Sequence, residues 1–455
     1  MSAWSLVEEL IKRHSAKGLS ELEVYASKTR ALNISVARDR VVEVSHSVDM
    51  DVGVRGAIGR RVGGLRLNTL EVDPGEVLDK VASIARATPE DEHWPGFPPR
   101  YEPLVSVEAY DPRVVERREE DYLELLGSLI SRIKEPALAR GVESAVVVEG
   151  GLNVRVAEAV IANTGGVYRE LRATSVSIWL VLDVSKAGAK SDYSMYYLKS
   201  RLDLEELDRE ALRAGERALL FFNAEPLESG VYDVVLSPWV AGEIVQFSLA
   251  PAFSGLNILE NRSPLRGRLG ERVFNERLTL IDDPTVPGAL GTRSFDDEGV
   301  PARRKEVVSK GVFTTILHSY YTARRMGAEP TGNGLRAHPA AQPLPGFLNL
   351  YVAPGSGSLE GFANELRRGV VVYEVIGHWM SDPFTGSIKA TVTHGVLVEN
   401  GAPVKPVKGV VLGGNIYDWL SKSLVEVGSD IEVYGNIASP TIWVREVKVA
   451  GKSTH

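Results

Sequence analysis

Three acidic side chains in a row, Asp296, Asp297 and Glu298, precede Gly299 and Pro301, so the carboxylates sit on a turn. There they can accept hydrogen bonds from a bound peptide or from Arg293 and Arg303, or they can close an Asx-type turn on their own backbone. Farther along, Thr331-Gly332-Asn333-Gly334 supplies backbone able to take positive φ or to approach a ligand closely. His378 opens another polar loop, with Asp382, Pro383 and Gly386 behind it, and a structural turn at a strand end is the competing account of that loop. The candidates for substrate contact are therefore Arg293, Asp296, Asp297, Thr331, Asn333, His378 and Asp382.

Bond-making chemistry has no comparable group. The chain has no cysteine, which removes disulfides, thiolate nucleophiles and cysteine metal ligands. Its eight histidines are scattered, no two of them four residues apart, and a lone histidine within a strand pattern, such as His318 or His394, reads as satisfied structure. Neither a G-x-S-x-G nucleophile elbow nor a G-x-x-x-x-G-K phosphate loop occurs. The sequence offers no catalytic residue and no metal ligand set of its own, and it supports neither an acyl-transfer enzyme nor an ATPase.

These side chains need a frame. Val307, Val308, Val312 and Phe313 flank Ser309-Lys310-Gly311 as two strands flank a tight turn, and Tyr320 to Met326 reads as a helix ended by Gly327. Upstream, Leu22 to Arg55 alternates apolar and polar residues through three runs, with a turn at Asp39-Arg40, and a further strand follows at Arg61 to Leu67. Asp73 and Pro74 then open a helix as N-cap and first helical residue. Residues 89–112 are rich in proline and acid and read as a linker. A long helix from about Arg113 to Lys134 leads into a second strand series from Val142, closed by a helix from Asp203 to Phe221. The echo of ALNISVAR in GLNVRVAE suggests a divergent internal duplication.

A third unit begins near Glu228. Its first strand ends at Ser237-Pro238, and the helix after it, WVAGEIVQFSLAPAFSG, is apolar on almost every face, so it is expected to be buried, with Pro251 ending its regular part. Asn400-Gly401 signals a type I′ hairpin, and Asn415 caps a helix expected over IYDWLSKSLVEVG. The fold class is α+β: two strand-and-helix units, residues 1–111 and 112–227, precede a larger, mainly antiparallel unit over residues 228–455.

With 455 residues, 44% hydrophobic and 25% charged, the chain has the composition of a globular protein that buries more than one core. No apolar run reaches the roughly 18 residues of a membrane span, and the first helix carries Glu8 and Glu9 where a signal peptide would be uninterrupted. No membrane association and a cytoplasmic location are the expectations. A formal charge of −8 argues against direct nucleic-acid binding, which needs a basic surface.

The run DDEGVPARRK, then the Tyr-Thr-Ala-Arg helix, then TGN, closely resembles the C-terminal domain of the TldD/PmbA family. IGHW followed by DPFTG, and GVRGAIGRRVGG near the amino terminus, resemble the same family. TldD-type members carry HExxxH on the helix after the first strand of that domain, where two histidines hold zinc and the glutamate is general base. Matched by the resemblance, the ligand positions fall near Gln246 and Pro251 and the base position near Phe247, with Glu243 the nearest carboxylate. The late cysteine ligand of that type is missing as well. Such side chains do not replace imidazole, thiolate or carboxylate on zinc.

The resemblance therefore points to the PmbA (TldE) branch. It implies a subunit without a cofactor of its own, paired with a TldD-type homologue that holds the zinc, in a complex degrading unfolded or small peptides. Arg293, Asp297, Thr331 and Asn333 would meet extended peptide by strand addition. Two alternatives stand beside it: a metal-free homodimer that binds peptides or acts as a scaffold, and a regulator of DNA gyrase.

Overall fold

The structure, a computed structural model, describes residues 3–69 and 71–452. Its first half is built on one antiparallel six-stranded sheet. The strands are β1 (Glu21–Ala37), β2 (Arg40–Ile58), β3 (Arg61–Leu67), β4 (Ser144–Asn163), β5 (Tyr168–Lys186) and β6 (Ala189–Lys199), in the order β3-β2-β1-β4-β5-β6. The helices α1 (Ala3–Arg13) and α2 (Pro74–Ala87) pack on the β1–β2 half. The helices α3 (Glu119–Ala139) and α4 (Leu204–Arg217) pack on the other half.

Local signals act as physics requires at several of these ends. Asp73 caps α2 through a 2.9 Å hydrogen bond from the Glu76 N–H, and Asp203 caps α4 from Glu206 in the same way. Other boundaries differ from the sequence reading. The three alternating runs before Arg55 form two long strands, turning at Arg38 and Asp39, which both take positive φ. Residues 113–134 are not one helix: Asp111 and Pro112 start a single helical turn, Pro112–Glu116, and α3 begins only at Glu119. The strand β6 was not anticipated.

The two units that the sequence sets apart contribute three strands each to this sheet. β1 and β4 pair continuously from Glu23 opposite Asn163 to Ala37 opposite Glu149. Within it Asn33 faces Asn153, and the Asn153 amide donates to the Asn33 carbonyl oxygen. These are the matching asparagines of ALNISVAR and GLNVRVAE, so the sequence echo meets itself on the local two-fold of a symmetric strand order. The stretch 89–112 does not behave as a free linker. Phe97 and Ala109 are buried, Pro98 accepts from the Asn163 amide, and the Tyr101 carbonyl accepts from Arg169.

The second half holds two large sheets and a two-stranded ribbon, Gly334–Leu335 against Leu344–Pro345. The strands are β7 (Gly230–Leu236), β8 (Leu280–Asp282), β9 (Lys305–Ser309), β10 (Val312–Phe313), β11 (Leu350–Val352), β12 (Arg368–Ile376), β13 (Ala390–Glu399), β14 (Ala402–Val407), β15 (Val410–Gly413), β16 (Leu424–Val427), β17 (Glu432–Tyr434), β18 (Ile437–Ser439) and β19 (Ile442–Ala450). One sheet runs β12-β7-β19-β15-β13-β14, and because β12 also pairs with β13 it closes on itself. The other runs β10-β9-β8-β11-β18-β17. Pairing is antiparallel except for β7 with β12 and β11 with β18. Lys310-Gly311 and Asn400-Gly401 take positive φ at both residues, as type I′ hairpin turns require.

Between the sheets lies α5 (Pro238–Ser248), and α6 (Tyr320–Met326) ends on Gly327 with φ 63°. The helix expected over residues 416–428 is a correction. Asn415 does cap a short helical segment that continues as one π turn to Ser423, but Leu424–Val427 leaves it as β16 and pairs with β19. Val425 and Val427 suit a pleated strand, and the side of β19 that β15 leaves unpaired at Ile442–Val444 supplies the ladder that a local helix reading does not see.

Candidate functional site

The acidic turn is a piece of internal carpentry. One carboxylate oxygen of Asp296 accepts from the Glu298 and Val300 N–H groups at 2.9 and 3.0 Å, and the other from the Gly334 N–H at 2.8 Å. Asp297 pairs with Arg293 at 2.7 Å and accepts from the Arg336 N–H at 2.9 Å. Glu298 accepts from the Tyr320 N–H at 2.7 Å, and Arg336 reaches across to Glu23 on β1, which also holds Arg55. The stretch thus ties the second half to the first-half sheet through buried charge.

Two of the sequence candidates are corrected by this geometry. Asp296 is 1% exposed and Asn333 0%, so neither can touch a peptide in this conformation. The Asn333 amide donates to Asp282 and to the Gly346 carbonyl, and the Thr331 hydroxyl exchanges hydrogen bonds with the His318 backbone. Burial pushes the Asp296 carboxyl up to about 7, against the pull of its three backbone donors, and pushes Glu298 well above the usual carboxylate range. Of the seven candidates, Arg293 and Asp297 pair directly, Asp296 holds the same turn and the Gly334 N–H, Asn333 and Thr331 bond to Asp282, Gly346 and His318 instead, and His378 and Asp382 lie elsewhere.

Those two belong to the loop after β12. Asp382 caps its own turn, accepting from the Phe384 N–H and the Thr385 hydroxyl, and these bonds hold its carboxyl below the ordinary value. His378 instead crosses to α5, where its Nε2 lies 3.0 Å from Glu243 Oε2. The stripe Trp239, Glu243, Phe247, at four-residue spacing, is the one face of α5 turned from the core. His378 meets Phe247 and Trp239 edge-on at ring distances of 5.3 and 6.4 Å. Phe247, Trp379 and Met380 around it are 38, 54 and 60% exposed. The pairing joins residues 135 positions apart, so nothing in the local sequence announces it.

The positions that match a zinc motif do not fit the metal. Gln246 sits on α5, but the helix loses regularity at Leu249 and Pro251 lies beyond it in a 3-10 turn, so the one-turn geometry of two ligands is broken as well as their chemistry. Among the described residues no group of three or more His, Asp or Glu side chains is arranged to hold a metal ion.

A mainly antiparallel sheet closed by pairing β12 to β13, and a buried helix after its first strand with one stripe turned outward, define the class. The model of the PmbA/TldA metallopeptidase C-terminal domain matches residues 229–451, and that of PmbA/TldA metallopeptidase domain 1 matches residues 22–88. The chain belongs to the TldD/PmbA family.

A metalloprotease of Methanothermobacter thermautotrophicus is 34% identical over 60% of each chain, so that match spans less than two thirds of either protein. The metalloprotease PmbA of Escherichia coli is 25% identical over 96% of this chain and 94% of its own. The crystal structure of TldE from Thermococcus kodakarensis superposes with a TM-score of 0.88 at 25% identity, covering 98% of this chain and all of that one.

Proposed function

We propose that this chain is the metal-free subunit of a TldD/TldE-type metallopeptidase, working in the cytoplasm on unfolded or small peptides beside a homologue that carries HExxxH and the zinc. The observation that carries this reading is the state of α5. The helix is retained and buried, its zinc-motif positions are Gln246, Phe247 and Pro251, and its regular part stops at Ser248, before Pro251. A helix kept for packing but without ligands is what a wall-forming subunit needs. Its outward face, with Glu243, His378 and the exposed Phe247, Trp379 and Met380, is the surface that turns toward the partner. Apolar residues grouped on a surface in this way mark interaction sites more often than accident.

The test is association. The chain is mixed with an HExxxH homologue from the same genome, and mass is read by light scattering after gel filtration. The reading requires a one-to-one complex, weakened about tenfold or more by Trp379→Glu with the fold of the free subunit intact. Two separate elution peaks at micromolar concentration would contradict it.

A further inference from the structure

Between the first-half sheet and α5 lies a cavity of about 80 Å³, room for roughly five waters or about one medium-sized amino acid. Tyr193 on β6, Arg217 on α4, Trp239 on α5, Tyr373 and Glu374 on β12, and Tyr434 on β17 line it. Tyr373 and Glu374 are sequence neighbours that share this wall because β12 carries a bulge there, a device common beside binding sites.

Its polar groups are unevenly satisfied. The Arg217 guanidinium lies over the rings of Tyr193 and Tyr373, at 5.7 and 5.2 Å, and donates to the Tyr193 hydroxyl at 3.2 Å. Among the described residues no carboxylate forms an ion pair with it, since Glu210 and Glu432 both go to Arg213. Glu374, 8% exposed, gives one oxygen to His394 Nδ1 at 2.7 Å, while its Oε1 is buried with no hydrogen-bond partner. The Trp239 indole N–H is likewise buried without an acceptor. Ser237, at the N-cap position of α5, turns its hydroxyl to the Tyr373 carbonyl, so no side chain caps the first turn of the helix. Buried polar groups left this way cost stability unless something else completes them.

The donors need an anion and Glu374 needs a cationic or N–H donor, with aromatic walls between. We propose that this cavity binds a free α-carboxylate next to an N–H donor, with the carboxylate on Arg217 and the Trp239 indole, the N–H on Glu374, and an apolar side chain among the rings. Arginine beside aromatic faces is well suited to carboxylate recognition. Both a free amino acid and the C-terminal residue of a peptide have this chemistry. The assignment does not rest on the partner-subunit reading, because it concerns binding by the isolated chain.

Calorimetric titration of the isolated chain with L-leucine, glycyl-L-leucine and L-leucinamide tests it. At least one of the first two is expected to saturate with a Kd near or below about 1 mM, and leucinamide to bind about tenfold more weakly or not at all. Leucine without the dipeptide identifies a free amino acid as the source, and the reverse identifies a peptide C-terminus. Arg217→Met, with its fold checked by circular dichroism, is expected to lose the same tenfold. If that variant fails to fold, the comparison of acid with amide on the natural chain decides alone. No saturation by either acid up to about 10 mM, or equal affinity for leucine and leucinamide, overturns the proposal.

Discussion

His378 Nε2 and Glu243 Oε2 lie 3.0 Å apart, so one hydrogen bond fastens the loop after β12 to the open face of α5. His378 is buried, and its Nδ1 has no partner. Glu243→Ala would leave both ring nitrogens unsatisfied and is expected to destabilise the chain by about 1–3 kcal/mol. Glu243→Gln keeps an acceptor for an imidazole N–H and is expected to cost less than about 1 kcal/mol. Urea unfolding of the two variants separates them, and equal losses would show that the bond holds nothing.

Glu298 and Asp296 make the second prediction. Both carboxyls are pushed up by burial, Asp296 to about 7, so the native state holds a proton that the unfolded chain has released. For such groups stability falls as pH rises from the unfolded value near 4 through the raised folded value, which is about 7 for Asp296. Glu298→Gln keeps the acceptor for the Tyr320 N–H and removes a buried charge. It is expected to flatten that part of the pH–stability curve and to raise stability at pH 8 by about 1 kcal/mol or more. A variant as pH-sensitive as the natural chain would show that Glu298 is not protonated by burial in the native state.

Much of this was legible in the sequence and some was not, for reasons that differ by residue. Asp73, Asp203, Gly327, Lys310-Gly311 and Asn400-Gly401 act on their own backbone, so local sequence suffices to place them. The Asx turn at Asp296 was one of two readings, and only burial decides between them. Residues 424–427 form a strand rather than a helix because the open stretch Ile442–Val444 of β19, not their own propensity, pairs with them. Glu243 with His378, Arg336 with Glu23, and the bulge at Tyr373-Glu374 all depend on elements far apart in the chain, which no spacing rule connects.

His394 supplies a third prediction, with the opposite sign. Burial works against its charge, but hydrogen bonds to Asp192 and Glu374 outweigh that and raise it to about 9. Its contribution is fully present below the unfolded value near 6.5 and is lost as pH rises through about 9, worth at most about 3 kcal/mol. Titration of the imidazole by NMR should give a midpoint near 9 that falls in Asp192→Asn. A midpoint near 6.5 in the natural chain would mean the ion pair is not formed.

The fourth concerns how α5 is seated. A Cβ at Gly242 would stand 2.5 Å from the Ile437 Cγ2 methyl and 3.1 Å from the Ser439 Cβ on β18. Helix propensity alone would make Gly242→Ala stabilising by about 1 kcal/mol, whereas overpacking against a branched side chain costs about 1–3 kcal/mol. A net loss in thermal stability is expected, and a gain would show that α5 and β18 are not in close contact.

The central claim is that zinc and catalysis belong to a partner, because Gln246, Phe247 and Pro251 stand where a TldD-type helix would hold and activate the metal. The most direct measurement is metal content after mild chelation, taken with peptidase activity on casein or unfolded peptide, for the chain alone and mixed with an HExxxH homologue. The account predicts far less than one zinc per isolated chain, no activity alone, and activity in the mixture. Stoichiometric zinc together with peptide hydrolysis by the isolated chain would contradict it and would move attention to the loop of His378 and Asp382.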